Sequence, residues 1–315
     1  MFKHIFVPLD GSRMSEAALP AAAYFARCFG AQVSLVHLIE KGRPQTVHEQ
    51  PHLHDEKEAA EYLARAASSF PAGAAVDCHV HAEEVAQVAQ SIVDHCITEL
   101  HSDFVIMCTH GGDGTRRFVS GSIAQQVIAR GTVPVLAVHA MEGEPATDGP
   151  QSARGAFTEF SCGKILVPLG GERDHGDILE PVAEIAKCCG AIVRLISVVP
   201  TFDSIPGKWF QVGRLLPGTT AEMLDIEAEE TAGLLEARAS DLRARGVAAE
   251  TRVLRGDPGH FISVDAEESG ATLIVMATHG KAGMSALWEG SVASKVFAES
   301  KKPILLLPVA AEQRT

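Results

Sequence analysis

Short apolar runs alternate with longer amphipathic stretches along the chain. Residues 5–9, Ile-Phe-Val-Pro-Leu, form one uninterrupted apolar run of strand length, and 15–29 follow with helical spacing and many alanines. The same pattern predicts strands over 32–39, 74–80, 104–109 and 133–139, and helices over 55–69, 84–100 and 122–130. Continuous apolar strands separated by helices imply an α/β fold, with a parallel sheet covered on both faces. Ligands of such sheets bind beyond the carboxyl ends of the strands, where the strand order reverses.

The pattern occurs twice. His4-Ile5-Phe6-Val7-Pro8-Leu9 returns as Lys164-Ile165-Leu166-Val167-Pro168-Leu169, and Gly30-Ala31 returns as Gly190-Ala191, an offset of 160. Farther along, Thr109-His110-Gly111 returns as Thr278-His279-Gly280, and Gly121-Ser122 as Gly290-Ser291, an offset of 169. The second copy therefore carries nine extra residues in its middle, and the Gly- and Pro-rich stretch 202–218 is the place for them. Two tandem domains are expected, 1–140 and 163–310, with a linker over 141–162 and a tail over 311–315. The last strand of each copy is apolar, and an apolar edge needs a cover. Pairing of 133–139 with 303–309 would make the chain an intrachain pseudo-dimer.

Each copy places chemistry after its fourth strand. A Gly directly after a strand lets main chain approach a ligand. A Gly-Ser that opens a helix offers unpaired N–H groups, a hydroxyl and the positive end of the helix dipole, a setting that suits phosphate. The same residues also serve as a strand-end turn and an N-cap, and the spacing alone does not separate the readings. Arg116 and Arg117 in the first loop either reach phosphate oxygens or face solvent. No Gly-x4-Gly-Lys-Ser/Thr string occurs, and no Gly-x-Gly-x-x-Gly follows the first strand, so P-loop and dinucleotide-binding readings fall away.

Composition narrows the class. The net charge of −13 argues against nucleic acid, whose binders carry basic patches. No apolar run approaches the ~20 residues of a membrane span, and the N-terminal residues run straight into a strand pattern with no signal-peptide core. The seven cysteines are odd in number and scattered, which fits reduced thiols and a cytoplasmic setting. His48-Glu49-Gln50-Pro51-His52 matches a zinc-protease string, but Pro51 opposes the helix that this chemistry needs. His52, His54, Cys78, His79 and His81 would gather as metal ligands only by adventitious meeting of their loops, so no metal site is assigned. No catalytic triad is visible. His110 and His279 each follow a strand, where a general base could stand, but a turn or packing role is the plainer reading, and Trp209 and Trp288 read as core or interface rather than as ligand stackers.

The order Val-Pro-Leu-Asp, Thr-His-Gly, Gly-Ser and Val-Pro-Val-Leu resembles the universal stress protein family over nearly the whole chain. The resemblance implies a five-stranded parallel sheet per repeat, of the adenine nucleotide α-hydrolase-like type, and an adenine nucleotide, ATP or AMP with or without Mg²⁺, as ligand. Nucleotide-binding members show Gly-x2-Gly-x9-Gly-Ser/Thr and an Asp after the first strand. Carried over, Asp10 meets the ribose or adenine, Leu38 offers main-chain groups to adenine, and Gly111, Gly121, Ser122 and Ile123 hold phosphates. In the second copy Val198, Gly280, Gly290 and Ser291 take the matching places. Cys108 and Ala277 stand where the family's first Gly belongs, and Gly170 replaces the Asp. The resemblance further implies a non-enzymatic stress-response protein, a weak ATPase at most, which acts on an unknown protein partner, expected as a homodimer of tandem chains. A tandem interaction module that has lost nucleotide binding, and a slow ATPase or transferase, are the alternatives.

Overall fold

The computed structural model describes residues 1–40, 46–47, 50–51, 53, 55–85, 87–109, 123–130, 133–139, 160–170, 176–201, 217–279 and 292–309. The strands are β1 (His4–Pro8), β2 (Gln32–Glu40), β3 (Thr46–Val47), β4 (Gln50–Pro51), β5 (Val76–Val85), β6 (Phe104–Thr109), β7 (Val135–His139), β8 (Lys164–Pro168), β9 (Ile192–Val199), β10 (Ala249–Arg255), β11 (Leu273–His279) and β12 (Ile304–Val309). The helices are α1 (Leu19–Phe29), α2 (Glu56–Ala67), α3 (Val88–Asp94), α4 (Ile123–Arg130), α5 (Gly176–Cys189), α6 (Pro217–Ala244), α7 (Pro258–Glu268) and α8 (Val292–Glu299). No described helix is long and apolar enough to cross a membrane.

The chain divides into two compact units. The first takes in Met1–Ser161 and Pro303–Pro308. Its strands run in the order β5-β2-β1-β6-β7, all parallel, and β12 adds antiparallel to β7 with Leu305 opposite Leu136. The apolar edge of β7 is thus covered, as its sequence requires. Phe2, Phe25, Phe29 and Phe104 form an aromatic core beneath the sheet, with Phe2 stacked on Phe104 at 4.1 Å between centroids. Phe160 packs edge-on to Tyr24 at 5.3 Å, so the end of the expected linker joins this core. The rest of that linker, residues 202–216 of the 202–218 stretch expected to hold the insertion, and the tail lie outside the described residues.

Local signals explain where the elements start and stop. Gly30 ends α1 in the left-handed region at φ +62°, with its N–H on Ala26 O. Asp55 caps α2 by accepting from Glu58 N–H at 2.9 Å. The segment 15–18 begins as a 3₁₀ turn before α1, because the Ser15 hydroxyl donates back to Ser12 O at 2.8 Å and holds the entry tight. β3 and β4 pair antiparallel, Val47 opposite Gln50, so Gln50 and Pro51 of the zinc-protease string stand in a strand, while His48, Glu49 and His52 lie outside the described residues.

One boundary differs from expectation. β5 continues through Val85 and α3 starts at Val88, whereas the pattern predicts a helix from 84. β5 is the edge strand; Asp77, His79 and His81 alternate with apolar residues as far as Ala82, and Glu83-Glu84 then breaks the alternation and reads as a helix start. It extends because β2 reaches Glu40 and offers partners, Leu38 to His81 and Glu40 to Val85. At its other end α3 closes with a π turn over His95–Glu99.

The second unit takes in Cys162–His279 and 292–302. Its strands run β10-β9-β8-β11, parallel, about a core of Ile165, Leu166, Val167, Leu195, Ile196, Ile274 and Val275, all fully buried. Beneath α7 lies an ion-pair network. Arg194 donates to both oxygens of the buried Asp265 through Nε and Nη2, at 2.7 and 2.9 Å, and Arg252 donates to the same carboxylate at 2.5 Å. Glu250 takes Arg194 at 2.9 Å and Lys164 at 3.1 Å, and Glu268 takes Arg252 at 3.3 Å.

Candidate functional site

In the first unit the strand order reverses between β1 and β6. The carboxyl ends of these two strands therefore frame the crevice where a parallel sheet takes ligand. Asp10 stands two residues past the end of β1. Its Oδ1 accepts from the Ser12 N–H at 2.9 Å and from the Ser12 hydroxyl at 2.6 Å, and the Asp10 N–H donates to the Ser15 hydroxyl at 3.3 Å. Ser12 is fully buried, so the loop fixes the carboxylate from below. Gly11 makes this turn possible. It sits at φ +91°, and a Cβ there would lie 2.9 Å from Leu53 Cγ.

Leu38 faces the same end of the sheet. Gln32 N–H donates to Lys3 O and Leu9 N–H to Val36 O, so even-numbered residues of β2 turn their main chain toward β1. Val33 N–H donates to Ala75 O, so odd-numbered ones turn toward β5. The β1 ladder ends at Pro8 opposite Val36. The main-chain groups of Leu38 consequently point to the side where β1 has already ended. The β2–β5 register shifts between Leu38 and Glu40, and such irregularities often lie beside binding sites.

Across the crevice, β6 ends in Cys108 and the buried Thr109. Thr109 pairs in register with His139 at the end of β7, its Oγ1 3.4 Å from His139 Nδ1. Ile123 opens α4 and is 40% exposed, which leaves the N-terminal turn of that helix at the surface. Gly111, Gly121 and Ser122, together with His110, Arg116 and Arg117, lie outside the described residues.

His139 gives this edge a pH signature. Its Nε2 is buried without a hydrogen-bond partner among the described residues, and burial pushes the imidazole pKa below its ordinary value. The folded protein holds His139 neutral, while the unfolded chain takes up its proton below about pH 6.5. The stability from this group is therefore complete above that pH and falls as pH drops toward the folded-state pKa, by at most about 1.4 kcal/mol per pH unit. Urea unfolding at pH 7.5 and 5.5 should show a smaller acid loss for His139→Gln than for the parent; equal losses would assign the sensitivity elsewhere.

Among the described residues the second unit repeats the frame without the carboxylate; Glu172 and Asp174, farther along the same loop, lie outside them. Leu169 N–H donates to Ile196 O, as Leu9 does to Val36, and β8 ends opposite Ile196. Val198 thus presents its main chain as Leu38 does. The exposed Gly170 occupies the Asp10 position, so no side chain reaches the crevice from there. Ala277 and Cys108, which replace the first glycine of the expected motif, are both half-buried near the strand ends. Gly280, Gly290 and Ser291, with Trp209 and Trp288, lie outside the described residues.

The frame is a known one. The profile of the universal stress protein family matches residues 1–139 and 162–308. The chain belongs to that family. A universal stress protein of Mycolicibacterium smegmatis is 24% identical over 322 residues and covers 96% of each chain. One from Methanocaldococcus jannaschii is 31% identical over 148 residues, 46% of this chain and 81% of the relative. The crystal structure of a universal stress protein from Archaeoglobus fulgidus superposes with a TM-score of 0.63 at 16% identity, covering 98% of this chain and 97% of that one. That likeness concerns the fold. The family's two-repeat form accounts for the equal spacing of the glycine loops, and the carboxylate marks where the repeats diverge.

Proposed function

We propose that the first repeat binds an adenine nucleotide, ATP or AMP, across the carboxyl ends of β1 and β6, and that occupancy tunes an interaction with a protein partner. The observation that carries this reading is the anchored Asp10. A carboxylate fixed by Ser12 at the strand-order reversal is preorganised to accept ribose hydroxyls, in charge-assisted bonds stronger than neutral ones. Leu38 supplies main-chain donors and acceptors at the height of a base. The Gly111 and Gly121-Ser122 loop, ending at the N-terminus of α4, supplies N–H groups for phosphate. The second repeat retains the main-chain frame but has Gly170 for the carboxylate, so it is the weaker or silent site.

Calorimetric titration of the nucleotide-stripped chain with ATP and AMP, with and without Mg²⁺, tests this. One strong equivalent per chain is expected. At a ligand concentration about 100 times Kd, stability should rise by about 2.7 kcal/mol. No heat, no thermal shift and no co-purifying nucleotide would leave a tandem interaction module that works by protein contact alone.

A further inference from the structure

A second constellation lies at the edge strand of the first unit, where β5, whose His81 pairs with Leu38, meets the π turn that follows α3. His81 on β5 and His95 on that turn stand with ring centroids 5.1 Å apart and planes perpendicular. Glu99, one turn on, brings its Oε1 to 3.0 Å from His95 Nδ1. One ligand atom from each of the three lies within 4.8 Å of the other two. We propose that His81, His95 and Glu99 form a binding site for a divalent transition-metal ion of the zinc class, a function separate from the nucleotide reading.

The donor set selects the ion. Two imidazole nitrogens and one carboxylate oxygen suit zinc and its neighbours, whereas magnesium and calcium favour oxygen alone. Metal–nitrogen distances of about 2.0–2.1 Å place tetrahedral ligand atoms roughly 3.4 Å apart. The present spacing needs only a modest closure, and the side chains that would move are the half-buried His81 and Glu99, which is 55% exposed. His95 is buried and already positioned. Because Glu99 faces solvent, the remaining coordination position opens to water.

Two further observations favour a site over a chance ion pair. The first is the π turn. Leu100 N–H donates to His95 O at 3.0 Å, five residues back, so the helix widens over the two residues that carry ligands. Such turns are rare and frequently lie at functional sites. The second is the comparison of repeats. The registers match His81 with Leu254 and His79 with Arg252, while the repeat offset matches His95 with Val264 and Glu99 with Glu268. In the second unit Glu268 meets a permanent cation, Arg252. In the first unit that arginine is His79, which is committed to Asp77, and Asp77 also accepts from Ser34 at 3.0 Å. A metal held by His81 and His95 would restore the positive charge opposite Glu99. The fold itself does not demand histidines here, since Leu254 and Val264 stand at the matching positions of the second repeat.

The test uses the full chain after chelator treatment, titrated calorimetrically with ZnSO₄. Cobalt(II) absorption in the visible serves as a second probe of nitrogen–oxygen ligation. Because His95 is buried, the variants are His81→Gln and Glu99→Gln, and unchanged circular dichroism verifies their folding. One equivalent of Zn²⁺ is expected in the parent. Each variant should weaken it by more than the about 10–100-fold that loss of a supporting partner causes, with loss of the cobalt bands. No Zn²⁺ bound by the parent, or undiminished binding in both variants, would overturn the proposal.

Discussion

Replacing Asp265 by alanine is expected to destabilise the second unit by about 3–5 kcal/mol, the usual cost of stranding a buried charge. Asp265 is 1% exposed and answers two arginines. Arg194 is itself largely buried, at 14%, so it cannot turn to water once its partner is gone. Glu250 remains at 2.9 Å, but it also serves Lys164 and is 41% exposed. Arg252, at 40% exposure, retains Glu268 and reaches solvent. The loss therefore falls mainly on Arg194. Urea unfolding followed by a probe in the second unit would read it. The double variant Arg194→Met with Asp265→Leu should recover most of the stability, because apolar replacement of a whole buried pair is often close to neutral. A loss below about 1 kcal/mol in Asp265→Ala would show that the network contributes little.

The second large effect is on ligand. Asp10→Ala should weaken ATP binding by about 10- to 150-fold, the worth of one hydrogen bond to a charged group at about 1.5–3 kcal/mol. Ser291→Ala should leave it nearly unchanged. Alanine at Asp10 also releases the Ser12 N–H and hydroxyl, which loosens the turn. Asp10→Asn separates the two causes. Its amide oxygen still accepts from Ser12 while the charge is gone, so an intermediate affinity with intact thermal stability is expected. Equal losses from Asp10→Ala and Ser291→Ala would sink the asymmetry between the repeats.

These predictions draw on features of unequal visibility. The strands at β1, β6 and β8 stand out as unbroken apolar runs because they are buried on both faces. Asp10 is legible because it directly follows such a run, and its divergence to Gly170 is visible because the repeat supplies a ruler. The partnership of β7 with β12 is also legible, since an apolar edge has few alternatives. Other features are not. Arg194 and Asp265 are 71 residues apart, and nothing local to either announces the bond. The same holds for His81 with His95. One sits just past the end of the strand that the pattern predicts over 74–80, the other in a helix whose π turn has no periodic signature. Local pattern reports which face is apolar; it does not report which polar residues that face will bring together.

The return of Pro303–Pro308 to the first unit matters during synthesis. Everything else in that sheet has been made once Ser161 is joined. At elongation rates of about 5–20 residues per second, the apolar flank of β7 then waits roughly seven to thirty seconds for β12. Throughout that interval the nascent chain carries an open strand edge of Val135, Leu136 and Ala137. On a crowded polysome, neighbouring nascent chains would display the same edge at the same stage. Holding these apart, by chaperone capture or by ribosome spacing, is a demand that the finished molecule no longer makes.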